Sequence, residues 1–93
     1  MIHGHIQPEY GKRLSHRLKI AQGQLRGLEK MITEHAYCVD IFYQSLAIQE
    51  SLKSFDGLIF ENHLKTHIAD QFKNGEEAKA LQELLKIYKL KRK

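Results

Sequence analysis

Apolar residues between Tyr10 and Glu34 step by four and three: Leu14, Leu18, Ala21, Leu25, Leu28, Ile32. That spacing is a heptad seam and predicts a first helix over this stretch. Gly4 and Pro8 oppose a helix before it, so residues 1–9 read as a mobile tail. His35-Ala36 is a connection short enough to favour antiparallel neighbours. From Tyr37 to Phe72 the chain has no Pro and a single Gly, which predicts one long second helix. Its apolar set, Ile41, Phe42, Leu46, Ile48, Leu52, Phe55, Ile59, Phe60, Leu64 and Ile68, is wider than one partner helix needs. It should therefore face both the first helix and a second subunit. Asn74-Gly75 predicts a stop and a turn. A third helix is expected from about Glu76 to Leu90, with Leu81, Leu84, Leu85 and Tyr88 on one side. Gly23 and Gly27, around Arg26, are small enough to allow close helix approach.

These elements define an all-α chain with one domain, residues 10–90, and a basic tail at 91–93. A second helix ~50 Å long at ~1.5 Å per residue cannot be wrapped by a chain of this size. A second copy is the natural cover. The apolar runs are too short to span a bilayer, and no signal-peptide core follows Met1. A lone Cys excludes an intrachain disulfide and makes a cytoplasmic setting the default.

The charge of +4 is unevenly placed. Residues 1–30 carry six Lys/Arg against two acids, residues 31–85 four against nine, and residues 86–93 five against none. Basic ends on an oligomer form a footprint for a polyanion such as DNA. His16 lies among Lys12, Arg13, Arg17 and Lys19, which suits phosphate contact better than metal ligation. There is no phosphate-cradling Gly-rich loop, and nothing local in sequence acts as a base for the only thiol, so an enzyme is not expected.

Cys38, His63 and His67 carry the chemistry. On a straight helix Cys38 and His63 are ~37 Å apart, yet His63 and His67 fall ~20° either side of Cys38. A thiolate with an i,i+4 imidazole pair suits Cu(I), or Zn(II), Ni(II) and Co(II) if further ligands join. The three can meet only between two antiparallel copies of the helix, about a two-fold axis near Leu52. His3 and His5 could fold over such a site and raise its coordination number. His35 has no expected role.

Four blocks carry a family resemblance: RLKIAQGQLRGLEKMI at 17–32, AYCVDI at 36–41, QSLAIQESL at 44–52 and ENHLKTHI at 61–68. Over about residues 12–87 the chain resembles the CsoR/RcnR family of bacterial metal-sensing repressors. The resemblance implies a three-helix protomer, an antiparallel four-helix-bundle dimer and a flat homotetramer that represses an operon until metal binds. It implies Cys38, His63 and His67 as ligands, with Tyr37 and Glu83 as supporting groups that favour Cu(I). His67 and the N-terminal histidines keep Ni(II) and Co(II) close behind. DNA contact is implied for Arg17, Lys19, Gln24 and Arg26, beside Arg13 and His16 from the charge pattern. Ser54 departs from the family, where a basic residue is common. Residue 2 is Ile and the chain has one Cys, which disfavours the formaldehyde- and persulfide-sensing branches. A metal-carrying or storage module that does not bind an operator is the rival of a different class, and a purely structural helical oligomer is a weaker one.

Overall fold

The computed structural model describes residues 6–92. Helix α1 spans Pro8–Thr33 and α2 spans Cys38–His63. A π-helical turn, Leu64–Ile68, leads into the short α3, Ala69–Lys73, and α4 spans Glu77–Arg92. Leu64, Ile68 and Ala69 all keep right-handed helical dihedrals, so α2, the π turn and α3 form one continuous rod. The long second helix expected from the sequence is therefore present, with one wide turn in it.

Helix α1 begins at Pro8, two residues earlier than the apolar pattern indicates. Pro opposes a helix interior, but at the first helical position its missing N–H costs nothing and its φ is already helical. Glu9 in the first turn suits the positive end of the helix. The backbone N–H of Gln7 donates to Oδ1 of the buried Asn62 at 3.1 Å, which ties the start of α1 to the end of α2.

The α1–α2 link is a Schellman turn. The N–H of Ala36 bonds to Met31 O at 2.9 Å, and that of His35 to Ile32 O at 3.2 Å. His35 takes the left-handed conformation this turn demands, with φ 57°. The turn after α3 repeats the pattern with the residue best suited to it. Gly75 has φ 72°, and Glu76 N–H bonds to Gln71 O at 2.7 Å.

Tyr10, Leu14 and Leu58 form the central cluster, flanked by Phe55 and Ile59. Ala21 and Ile48 extend burial along the α1–α2 contact, and Ile68 and Ala80 bury the region where α4 folds back. A Cβ at Gly27 would lie 3.4 Å from Gln44 Nε2, so α2 passes close to this residue. Gly23 differs: its nearest neighbour is the Arg26 guanidinium on its own helix. Within the protomer no other helix comes within 4 Å of that position. In α4 the apolar side does not coincide with the buried one. Leu81, Leu85 and Tyr88 are exposed, while Ala80 is fully buried and Glu83, Leu84 and Ile87 are half-buried.

The protomer measures 57 × 29 × 20 Å, with a radius of gyration of 17.5 Å. A compact chain of this length would have a radius near ~12 Å. The excess is exposed apolar rod. Of the α1 seam, Leu14 and Ala21 are buried but Leu18, Leu25 and Ile32 are exposed. On α2, Phe42 is 69% and Leu46 54% exposed, far beyond what a protein surface leaves uncovered without reason. Among the described residues no helix is long and apolar enough to cross a membrane.

Candidate metal centre and basic surface

Cys38 is the first residue of α2, and its thiol is exposed. It lies in an apolar groove with Leu28, Ile32, Ile41, Phe42 and Ser45. His63 is the last residue of α2, and His67 stands in the π turn. Their rings stack, centroids 5.1 Å apart and planes 22° from parallel. The sequence estimate assumed a straight α-helix through His67. The π turn accommodates an extra residue, so His67 does not keep its α-helical phase relative to Cys38, although it stays beside His63. Thr66 supports this widening. Its hydroxyl donates to Asn62 O at 2.9 Å and lies 3.5 Å from His63 O, at the carbonyls that enter the turn.

Glu83 reaches from α4 to His63, with Oε1 2.7 Å from Nε2. Nε2 is buried, and the approach falls outside hydrogen-bond geometry. Glu83 also accepts from Gln71 Nε2 at 3.4 Å. A carboxylate on one imidazole nitrogen fixes the ring and raises the basicity of the other. Nδ1 of His63 is thus the atom such an arrangement offers to a metal. Glu83 was expected as a supporting group from the resemblance. Tyr37 is 72% exposed at the N-cap of α2.

Cys38 and the His pair stand at opposite ends of the rod. Among the described residues no three His, Cys, Asp or Glu side chains gather to hold an ion. The donors fit a soft metal ion chemically, as two half-sites: an exposed thiol at one end and a buttressed imidazole pair at the other. His3 and His5 lie outside the described residues. His16 and His35 are exposed.

The basic candidates of α1 fall into two groups. His16, Lys19 and Arg26 are exposed, as is Lys12. Arg17 and Gln24 are half-buried against α2. Arg17 Nη1 donates to Ser54 Oγ, and Ser51 Oγ donates to Gln24 Oε1 at 2.7 Å. Gln44 Nε2 donates to the backbone oxygen of Gln24 at 3.0 Å. Arg13 lies over the ring of the buried Tyr10, 5.6 Å from its centroid. The Tyr10 hydroxyl donates to Glu61, and that bond holds the Glu61 carboxyl below its ordinary value, with Lys65 and Arg13 assisting. Sequence reasoning missed Ser51, Asn62 and Thr66. Nothing marked them out in a helix that carries many other polar residues.

The sequence model for the metal-sensitive transcriptional repressors matches residues 10–89. The copper-sensing transcriptional repressor CsoR of Bacillus subtilis (strain 168) is 37% identical over 76 residues, covering 82% of this chain and 75% of that protein. CsoR of Mycobacterium ulcerans (strain Agy99) is 37% identical over 73 residues, covering 78% of this chain and 62% of the longer relative. The crystal structure of the copper-sensing repressor CsoR with Cu(I) from Geobacillus thermodenitrificans NG80-2 superposes with a TM-score of 0.86 at 32% identity, over the full length of both chains. With its helical rod, split donor set and basic first helix, the chain belongs to the metal-sensitive transcriptional repressor family.

Proposed function

We propose that this protein is a copper-responsive repressor that binds operator DNA in the cytoplasm and lets it go when Cu(I) binds. The observation that carries the reading is the placement of Cys38 and the His63–His67 pair at opposite ends of one helical rod whose intervening face is apolar and uncovered. Two such rods, antiparallel, bring the Cys38 of each beside the His pair of the other and bury Phe42 and Leu46 in a four-helix dimer. The exposed Leu81, Leu85 and Tyr88 of α4 supply a further face for pairing dimers into a flat tetramer. Cu(I) is satisfied by one thiolate and two imidazoles, so each dimer has two complete sites. The names of the relatives support copper, and the Cu(I)-bound neighbour supports it independently of sequence alignment. Ni(II) and Co(II) would need the extra nitrogen donors that His3 and His5 could supply.

The test is a gel shift of reduced protein with a duplex selected from a random-sequence pool. A sequence-specific complex should form without metal and dissociate as Cu(I) approaches one ion per protomer. A metal carrier or a structural oligomer would give no sequence-specific complex, and that result would end the repressor reading.

A further inference from the structure

Arg17 and Gln24 stand one heptad apart on α1, and each is held by a serine of α2, three residues apart on that helix. They differ from the exposed ridge of Lys12, Lys19 and Arg26, which repeats every seven residues over roughly 21 Å of the helix. A half-buried arginine is usually paired with a carboxylate, which orients it and also cancels its charge. Arg17 is oriented differently. Its side-chain partner is the neutral hydroxyl of Ser54, and among the described residues no carboxylate lies within ion-pair distance of it. The guanidinium has five N–H donors, and one bond to Ser54 leaves the others for a ligand. The hydroxyl therefore restricts a long, flexible side chain without neutralising it. Restriction before binding lowers the ordering cost when an anion arrives. The retained charge is what a phosphate oxygen would meet.

We propose that Ser54 is a positioning residue for DNA binding: it presents the uncompensated guanidinium of Arg17 to a backbone phosphate. The proposal rests on the repressor reading and assigns a role to the position where the family commonly has a basic side chain. One neutral clasp on a single arginine here stands in place of a second cation.

The experiment compares wild type, Ser54→Ala, Ser54→Thr, Arg17→Ala and the Ser54→Ala/Arg17→Ala double variant on one selected duplex. Affinity is measured at several salt concentrations, with oligomeric state and thermal unfolding checked for each protein. Ser54→Ala should weaken binding about three- to tenfold, the scale of one ordinary lost hydrogen bond. Ser54→Thr, which keeps the hydroxyl, should restore it. The double variant should bind no more weakly than Arg17→Ala, because Ser54 acts only through Arg17. A folded Ser54→Ala protein that binds like wild type overturns the proposal. So does a double variant in which the two losses multiply, or a folded Ser54→Thr protein as weak as Ser54→Ala. A wild-type protein that binds no duplex specifically overturns the repressor reading itself, and the proposal with it. The wild-type lane thus separates the two failures.

Discussion

Glu83 on α4 places its carboxylate oxygen 2.7 Å from Nε2 of His63 on α2. Helix α4 is thereby in direct contact with a ring that the proposed reading puts at one metal half-site. Were an ion bound at Nδ1, a carboxylate facing Nε2 would be placed to hold the ring in position, which would couple the site to the seating of α4.

Glu83→Gln tests that link. The amide keeps the shape and removes the charge, so Cu(I) affinity should fall about 10- to 100-fold. Metal-free DNA binding should stay near the wild-type level. Competition with a Cu(I) chelator measures the first and a gel shift the second; an unchanged affinity would make Glu83 a bystander.

Mixed dimers test the two half-sites. A Cys38→Ala chain paired with a chain altered at both His63 and His67 should form one complete site and one lacking all three ligands. One Cu(I) should therefore bind tightly per mixed dimer. A mixed dimer with no tight site would place all the ligands on one chain.

Deletion of residues 2–6 separates the metals. Cu(I) needs only Cys38, His63 and His67, so the shortened protein should keep its affinity and its copper-triggered release of DNA. If the effector is Ni(II) or Co(II), the loss of His3 and His5 should break the response although Cys38 is untouched.

The two left-handed turn residues should respond in opposite directions. His35 holds φ 57° with a side chain, whereas Gly75 holds φ 72° without one. His35→Gly should stabilise the protein by about 0.5–1 kcal/mol, and Gly75→Ala should destabilise it by about 1–2 kcal/mol. A Cβ at Gly75 would meet nothing within 4 Å, so that loss would come from the backbone alone. Urea unfolding at a fixed protomer concentration reads both values.

Glu61 gives a pH dependence. The bond from the Tyr10 hydroxyl lowers its pKa on folding from 4.5. Its contribution to stability is therefore complete above the unfolded value and disappears as pH falls through the folded one. Tyr10→Phe should move the Glu61 titration back up towards 4.5 and flatten the acid side of the stability curve in that region. A carboxyl titration by NMR that is the same in both proteins would remove Tyr10 as the cause.

Much of this molecule was readable from residue order. The 4-3 stepping from Leu14 to Ile32 marked α1, the run without Pro marked the α2 rod, and Asn74-Gly75 marked the turn before α4. Pro8 was misread, and the surroundings of Gly23 were not legible, because each residue's effect depends on its position: Pro8 is at the first turn, and Gly23 is on a side of α1 that no other helix of the protomer approaches. The inward face of α4 was not legible in the sequence for a related reason. Leu81, Leu85 and Tyr88 are its most apolar stripe, but within one protomer α4 turns Ala80, Leu84 and Ile87 inward.

The sequence by itself determined the helices, the single thiol and the separation of Cys38 from His63 along one rod, because periodicity and rise per residue are local properties. It also determined that no chain of 93 residues could cover that rod alone. Only the tertiary structure decided the π turn under His67, the contact of Glu83 with His63, and the serines that hold Arg17 and Gln24. The π turn depends on hydrogen bonds within the rod, such as that of Thr66, and the other two on how one helix is rotated against another. A small change in that rotation exchanges a solvent-facing side chain for one in the contact, and nothing in the order of residues along either helix sets it.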